Sequence, residues 1–204
     1  MRLLERIIEE TRKCLDNECF IAALALSLTI PDICGKAEYP NENANKARYI
    51  KWYDTYIGKY EKPPEPISNT PRNPSIKDMP YSSGEIIYSL RNCMLHQGTP
   101  NIEESKIKEQ RCQVNKFELS IGGCGHSSIS FGCHNEITER TLRINLVDLC
   151  LKLCATAEGY YNKYPNKFDF FHYELIDMRH SIDKSTEEAL CNAILSSLHL
   201  GEQS

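Results

Sequence analysis

The sequence predicts a mainly α-helical bundle carrying one small inserted β-hairpin at about residues 115–132. Three observations lead there. Apolar residues recur at three- and four-residue spacing through most of the 204 residues, the repeat of a helix that buries one face. Alternation of period two is confined to one short region beside a glycine cluster. Hydrophobic residues make up 41% and charged residues 25%, a globular composition with enough apolar surface for a real core.

Leu3, Leu4, Ile7, Ile8, Thr11 and Leu15 line one face of a first helix, and Glu5, Arg6, Glu9, Glu10, Arg12 and Lys13 cover the other. Residues 17–35 read as a second helix, apolar nearly all round and so central, which Pro31 should bend or stop. Residues 36–43 read as a loop. A third helix is expected over residues 45–58, with Ile50, Trp52, Tyr53, Tyr56 and Ile57 buried and Gly58 as its stop. Residues 59–80 contain Pro63, Pro64, Pro66, Pro71, Pro74 and Pro80, which no regular element tolerates, so this is a long surface loop. A fourth helix should start at Ser82 or Ser83, with Ser82 and Glu85 at capping-box spacing, bury Ile86, Ile87, Leu90 and Met94, and end at Gly98 and Pro100.

Phe117, Leu119 and Ile121 alternate with polar residues; Gly122, Gly123 and Gly125 mark a turn, and residues 128–131 form the returning strand. A long helix follows over about 145–164, with Leu146, Leu149, Cys150, Leu153 and Ala157 on one face. A last helix begins near Ser185. Residues 1–165 thus make the helical domain, and residues 166–204 a C-terminal segment expected to pack on it.

Net charge is −4 and the isoelectric point is about 5.9. Coating long nucleic acid needs many clustered cations, so that class is disfavoured, whereas an enzyme touching a few phosphates is not. The N-terminal residues are charged throughout, without the apolar core of a secretion signal, and the longest apolar stretch, residues 19–30, is too short to span a bilayer. The expectation is a cytoplasmic chain whose ten cysteines are reduced and act as small hydrophobes.

The residues that carry chemistry sit at the end of the fourth helix: Arg91, Asn92 and His96. A guanidinium stays charged and forks onto phosphate; an imidazole moves protons near neutral pH. Asn92 and His96 are four apart and share a helix face. Arg91 and His96 are five apart, about 140° around an ideal helix. A long side chain or a second protomer must close that gap. A plain structural role is the alternative, with His96 favoured by the helix dipole and Arg91 a surface or ion-pairing residue.

Arg91-Asn92-Cys93-Met94-Leu95-His96 resembles the R-x4-6-H motif of HEPN domains, including the Asn that often follows the Arg. The resemblance spans roughly residues 1–165, though only this short motif is specific. It implies a HEPN-like helical bundle that forms a homodimer, with the paired motifs making one composite RNase site. It also implies a toxin or defence setting in which an antitoxin protein is a partner. The reaction would be metal-independent RNA cleavage without any cofactor. His96 would transfer protons, Arg91 would stabilise charge on the phosphate, and Asn92 would position the phosphate or its own helix neighbours. The products would be a 2′,3′-cyclic phosphate and a 5′-hydroxyl. The other function that keeps this scaffold is a non-catalytic RNA- or protein-binding module.

Cys124, His126, Cys133 and His134 form a second cluster, beside glycines, and are candidate zinc ligands; the spacing matches no standard knuckle or ribbon. Cys150 and Cys154, four apart on a helix, suit an apolar face better than a metal. The aromatic group Tyr49, Trp52, Tyr53, Tyr56 and Tyr60 could stack on bases, but its helical spacing is that of core packing.

Overall fold

The computed structural model describes residues 3–62, 80–97, 114–131, 137–171 and 188–192. The chain divides into two compact units, Met1–Phe171 and His172–Ser204. In the second, residues 188–192 are helical; the expected start of that helix at Ser185 lies outside the described residues. Everything below concerns the first unit.

Helix α1, Leu3–Asp16, buries Leu4, Ile8 and Thr11 and keeps its charged face outward, as the spacing predicts. The chain then turns through Glu18, which has a positive φ of 57°, and the Cys19 amide donates to the Cys14 carbonyl at 2.7 Å to close the turn.

The second predicted helix is in fact two, α2 (Phe20–Ser27) and α3 (Ile30–Glu38). Pro31 is the reason: its ring collides with the carbonyl four residues back, on Ser27, so the first ladder ends there. The Thr29 hydroxyl donates to the Leu26 carbonyl at 2.7 Å across the break. Pro31 then serves in the first turn of α3, where its missing N–H costs nothing. The expected loop at 36–43 accordingly starts later, because α3 runs on to Glu38. The stretch Phe20–Glu38 is long and apolar enough to cross a membrane by length and composition, but half of it is buried inside the protein. It is a core element here: Ala23, Leu24, Leu28, Ile30 and Cys34 are inaccessible to solvent.

Helix α4, Asn45–Tyr53, packs against α3 across Gly35, where a Cβ would lie 2.8 Å from the Arg48 carbonyl oxygen. Gly58 does not stop this helix. The chain widens into a π turn, Asp54–Gly58, and continues as the short α5, Lys59–Glu61. Gly58 is needed for space: a Cβ there would meet the Asp54 carboxylate at 2.5 Å. Most of the proline-rich loop, residues 63–79, lies outside the described residues.

Helix α6, Gly84–Asn92, is capped by Ser83, whose hydroxyl accepts from the Ile86 amide at 3.4 Å. The predicted Ser82–Glu85 box is therefore one residue out of frame. Ile86, Ile87 and Leu90 are buried as expected, and Met94 packs half-buried against the core.

The predicted hairpin is a correction. Strands β1 (Lys116–Ser120) and β2 (His126–Phe131) exist, and Gly122 and Gly123 supply the turn with φ of 77° and 73°. The two strands do not pair with each other. A third strand, β3 (Ile137–Asn145), lies between them, parallel to β1 and antiparallel to β2. The central place falls to the strand with apolar alternation to bury: Leu142 and Ile144 face inward, while β2 offers mainly serines. β3 leads directly into α7, Leu146–Lys163, whose N-cap Asn145 accepts from the Asp148 amide at 3.1 Å. Its face of Leu149, Cys150, Leu153, Cys154 and Ala157 is buried. These two cysteines pack in the core; burial pushes both thiols up, Cys154 to about 11.

Tyr160 of α7 sits in an aromatic cluster with Trp52, Tyr56 and Phe168. Its hydroxyl donates to Glu38 Oε2 at 2.5 Å, and the Lys167 ammonium joins the same oxygen. Partial burial pushes the Glu38 carboxyl up, but its hydrogen bonds from Lys167, Tyr160 and Tyr56 and the Lys167 charge outweigh that and hold it below the usual range.

Three expectations follow. Gly84→Ala would place a Cβ 2.7 Å from the backbone oxygen of Ile50 and should cost about 1–3 kcal/mol in urea unfolding. Gly159→Ala, at an exposed position of α7 with nothing within 4 Å of its Cβ, should instead stabilise by about 0.5–1 kcal/mol. Because the folded Glu38 pKa is depressed, its contribution to stability is full above the unfolded carboxyl value near 4.3 and vanishes as pH falls through the folded value. Thermal melts should show wild type losing its advantage over Glu38→Gln between about pH 5 and pH 3; a difference unchanged across that window would refute the coupling.

Candidate functional site

The candidate site is built on α6, and the start of that helix is held from outside. The Gly84 amide donates to Asp54 Oδ1 at 2.7 Å, so a carboxylate from the π turn after α4 satisfies one of the free amides at the positive helix end. From that anchor, the apolar residues Ile86, Ile87 and Leu90 fix the rotation of α6. Tyr88, Arg91 and Asn92 are left on a half-buried face.

Arg91 is not a free surface cation. Its Nε donates to Asp32 Oδ2 at 2.9 Å, with the two side chains 20% and 26% exposed. Its Nη1 donates to the Asn92 side-chain oxygen at 3.0 Å. The guanidinium carbon lies 5.7 Å from the centre of the Tyr88 ring, and the Lys46 ammonium lies 5.9 Å from the same ring. Tyr88 in turn meets Tyr49 edge-on at 5.2 Å. Tyr49 is fully buried, and its hydroxyl donates to the Leu28 carbonyl at 3.2 Å. Burial pushes the Tyr49 phenol up and the Asp32 charge adds to it, while Arg91 pulls the other way. The result is a guanidinium held on one side by a carboxylate and an amide and packed against an aromatic ring, with a second cation at that ring.

After Asn92 the helix changes pitch. Residues Cys93–Gln97 form a π turn with Cys93 buried. In an i→i+5 turn, residues five apart stack more nearly above one another than in an α-helix. The angular offset of Arg91 from His96 is therefore smaller than an ideal helix predicts. The backbone of His96 lies in this turn; its side chain is outside the described residues, as are Gly98 and Pro100.

Arg91 and Asn92 are thus hydrogen-bonded to each other. Asp32, Tyr88 and Lys46 were not singled out by sequence reasoning. Asp32 did leave a trace: it is the only charged residue between Glu18 and Lys36, and an acid in so apolar a stretch calls for a partner.

Of the zinc candidates, only Cys124 is fully described. Cys124 is exposed and free, the backbone of His126 lies in β2, and the His126 side chain, Cys133 and His134 are outside the described residues. Among the described residues no group of three or more His, Cys, Asp or Glu side chains gathers as a metal site. Tyr49, Trp52 and Tyr53 of the aromatic group are buried and serve the core, whereas Tyr60 is 77% exposed.

If the Arg91–Asp32 pair is a true coupled interaction, Asp32→Ala and Arg91→Ala should each cost about 1–2 kcal/mol. The double variant should then cost less than their sum by about 0.5–1.5 kcal/mol in a urea-unfolding cycle. Comparison with family models, with curated proteins and with solved structures finds no match to this chain.

Proposed function

We propose that the chain is a metal-independent endoribonuclease, acting as a homodimer through a composite site of Arg91, Asn92 and His96 and serving as a toxin or defence effector opposed by an antitoxin. One observation carries the reading. Arg91 and Asn92 are hydrogen-bonded to each other at the end of α6, with the guanidinium oriented by Asp32, directly before the π turn that contains His96. A preorientated guanidinium is what a phosphorane-like transition state needs, because the charge is met without reorganisation.

The chemistry runs through the RNA itself. A base removes the proton of the 2′-hydroxyl, whose oxygen attacks the adjacent phosphorus. The 5′-oxygen leaves with a proton from an acid, giving a 2′,3′-cyclic phosphate and a 5′-hydroxyl. His96 serves the proton transfers, Arg91 neutralises the phosphate oxygens, and Asn92 supports Arg91. The site is completed by pairing the motifs of two protomers.

The same geometry supports a second reading, a non-catalytic RNA- or protein-binding module. The observation in its favour is the Asp32 carboxylate on Arg91, which competes with phosphate for the guanidinium. Incubation with end-labelled RNA in EDTA separates the two. The nuclease reading expects cleavage that stops when the nucleotide at the cut carries no 2′-hydroxyl, and that drops about 10²–10⁴-fold in His96→Ala. RNA that is bound but left intact by wild type supports the module, and cleavage by His96→Ala at the wild-type rate removes the imidazole from the mechanism.

A further inference from the structure

The aromatic group of α4 and the segment after it is only partly absorbed by the core. Trp52 is buried, Tyr56 is half-buried and Tyr60 is 77% exposed. These three follow one another at four-residue spacing, so the stripe that begins in the core runs out into solvent. Tyr56 meets Tyr160 of α7 edge-on at 5.2 Å, and Tyr160 lies 5.3 Å from the half-buried Tyr164. One aromatic path thus crosses from the α4–α5 segment to the end of α7.

Lysines accompany this path. Lys51 Nζ lies 4.2 Å from the centre of the Tyr39 ring, Lys59 Nζ 4.8 Å from that of Tyr60, and Lys163 Nζ 5.1 Å from that of Tyr164. Tyr39 belongs to the same surface, its hydroxyl 3.4 Å from Thr55 Oγ1 on the π turn. All three lysines are exposed, and among the described residues none of them pairs with a carboxylate. Cations elsewhere do: Arg12 with Glu158, Lys13 with Glu9, Arg143 with Glu118, and Lys152 with Glu61. Glu38, the acid within the network, is covered by Tyr160 and Lys167. In a chain of net charge −4, unpaired positive charge is therefore gathered where an exposed ring lies, and a local field acts on a ligand whatever the total charge.

We propose that this face holds a single-stranded stretch of RNA, with phosphates on Lys51, Lys59 and Lys163 and a base stacked on Tyr60. A phosphate meeting these ammoniums breaks no ion pair. An exposed ring offers a base a stacking surface, which a strand can use and a duplex, whose bases already stack on one another, cannot. The proposal rests on the nuclease reading only in taking RNA as the ligand. None of these residues belongs to the site at Arg91, Asn92 and His96, so the face grips the strand away from the cut.

The test is fluorescence anisotropy of the full chain with a labelled 2′-O-methyl oligonucleotide, as a single strand and as a duplex. The methylated strand has no hydroxyl to attack, so binding is read whether or not the protein cleaves. Saturable binding of the single strand is expected at low salt, at a Kd of about 100 μM or tighter. The combined Lys51→Gln, Lys59→Gln and Lys163→Gln variant should make the slope of log K against log salt shallower by about 2. Tyr60→Ala should weaken binding about tenfold with the slope unchanged. Lysines that serve only the helix dipole would lower the unfolding midpoint when replaced and leave the slope alone. That result would overturn the proposal, as would no saturation, a duplex bound as tightly as the strand, or wild-type affinity in Tyr60→Ala. Binding of the methylated strand without cleavage of its all-ribose counterpart would support the face and sink the nuclease reading alone. Cleavage of the ribose strand, with the slope unmoved in the lysine variant, would sink the face and leave the nuclease reading standing.

Discussion

The carboxylate of Asp54 organises the part of the fold that carries the proposed site. It projects from the π turn after α4 and accepts the Gly84 amide at 2.7 Å, so one side chain ends one helix and begins the next across 30 residues of chain. The contact works only because Gly58 and Gly84 lack side chains. A Cβ on Gly58 would overlap this carboxylate, and one on Gly84 would press on it and on the Ile50 carbonyl. A charged acceptor at a helix start is worth more than a neutral cap, since it meets both the free amide and the helix dipole. Where α6 begins sets which of its residues face inward, and hence where Arg91 and Asn92 emerge.

The far end of α6 is held by a second long-range ion pair, Arg91 with Asp32. Its two sides pull in different functional directions. Orientation by a carboxylate removes the freedom a guanidinium would otherwise lose on meeting a phosphate, which favours catalysis. The same carboxylate lowers the local positive potential, and the chain's net charge of −4 adds little attraction for RNA. Lys46 at the Tyr88 ring partly offsets the acid. Under the proposed nuclease reading, this balance suits contact with a few phosphates rather than tight binding along an extended strand.

Much of the helical scaffold was legible in the sequence, and the site only in part. Apolar periodicity located α1, α4, α6 and α7 because each buries a single face, and a buried face writes its repeat into the chain. The split of α2 from α3 was signalled by Pro31 but read one element too coarsely. Gly58 was legible as an anomaly but its meaning was not: a glycine ending a helix and a glycine making room for a carboxylate look alike until the neighbour is known. In the site, Arg91 and Asn92 could be named from local spacing, whereas Asp32, 59 positions earlier, appears only as an unexplained acid in an apolar stretch.

By itself, then, the sequence determined the helical class, the main buried faces, the glycine turn at 122–123 and the placing of Arg91 and Asn92 at the end of α6. All of these arise from interactions within a few residues, whose geometry the backbone repeat dictates. Only the tertiary structure decided the order β1-β3-β2, the clamp of Asp54 on α6 and the carboxylate facing Arg91. Each of those depends on which distant surfaces meet. That choice is settled by the global competition to bury apolar area while satisfying every enclosed polar group, and no local pattern records its outcome.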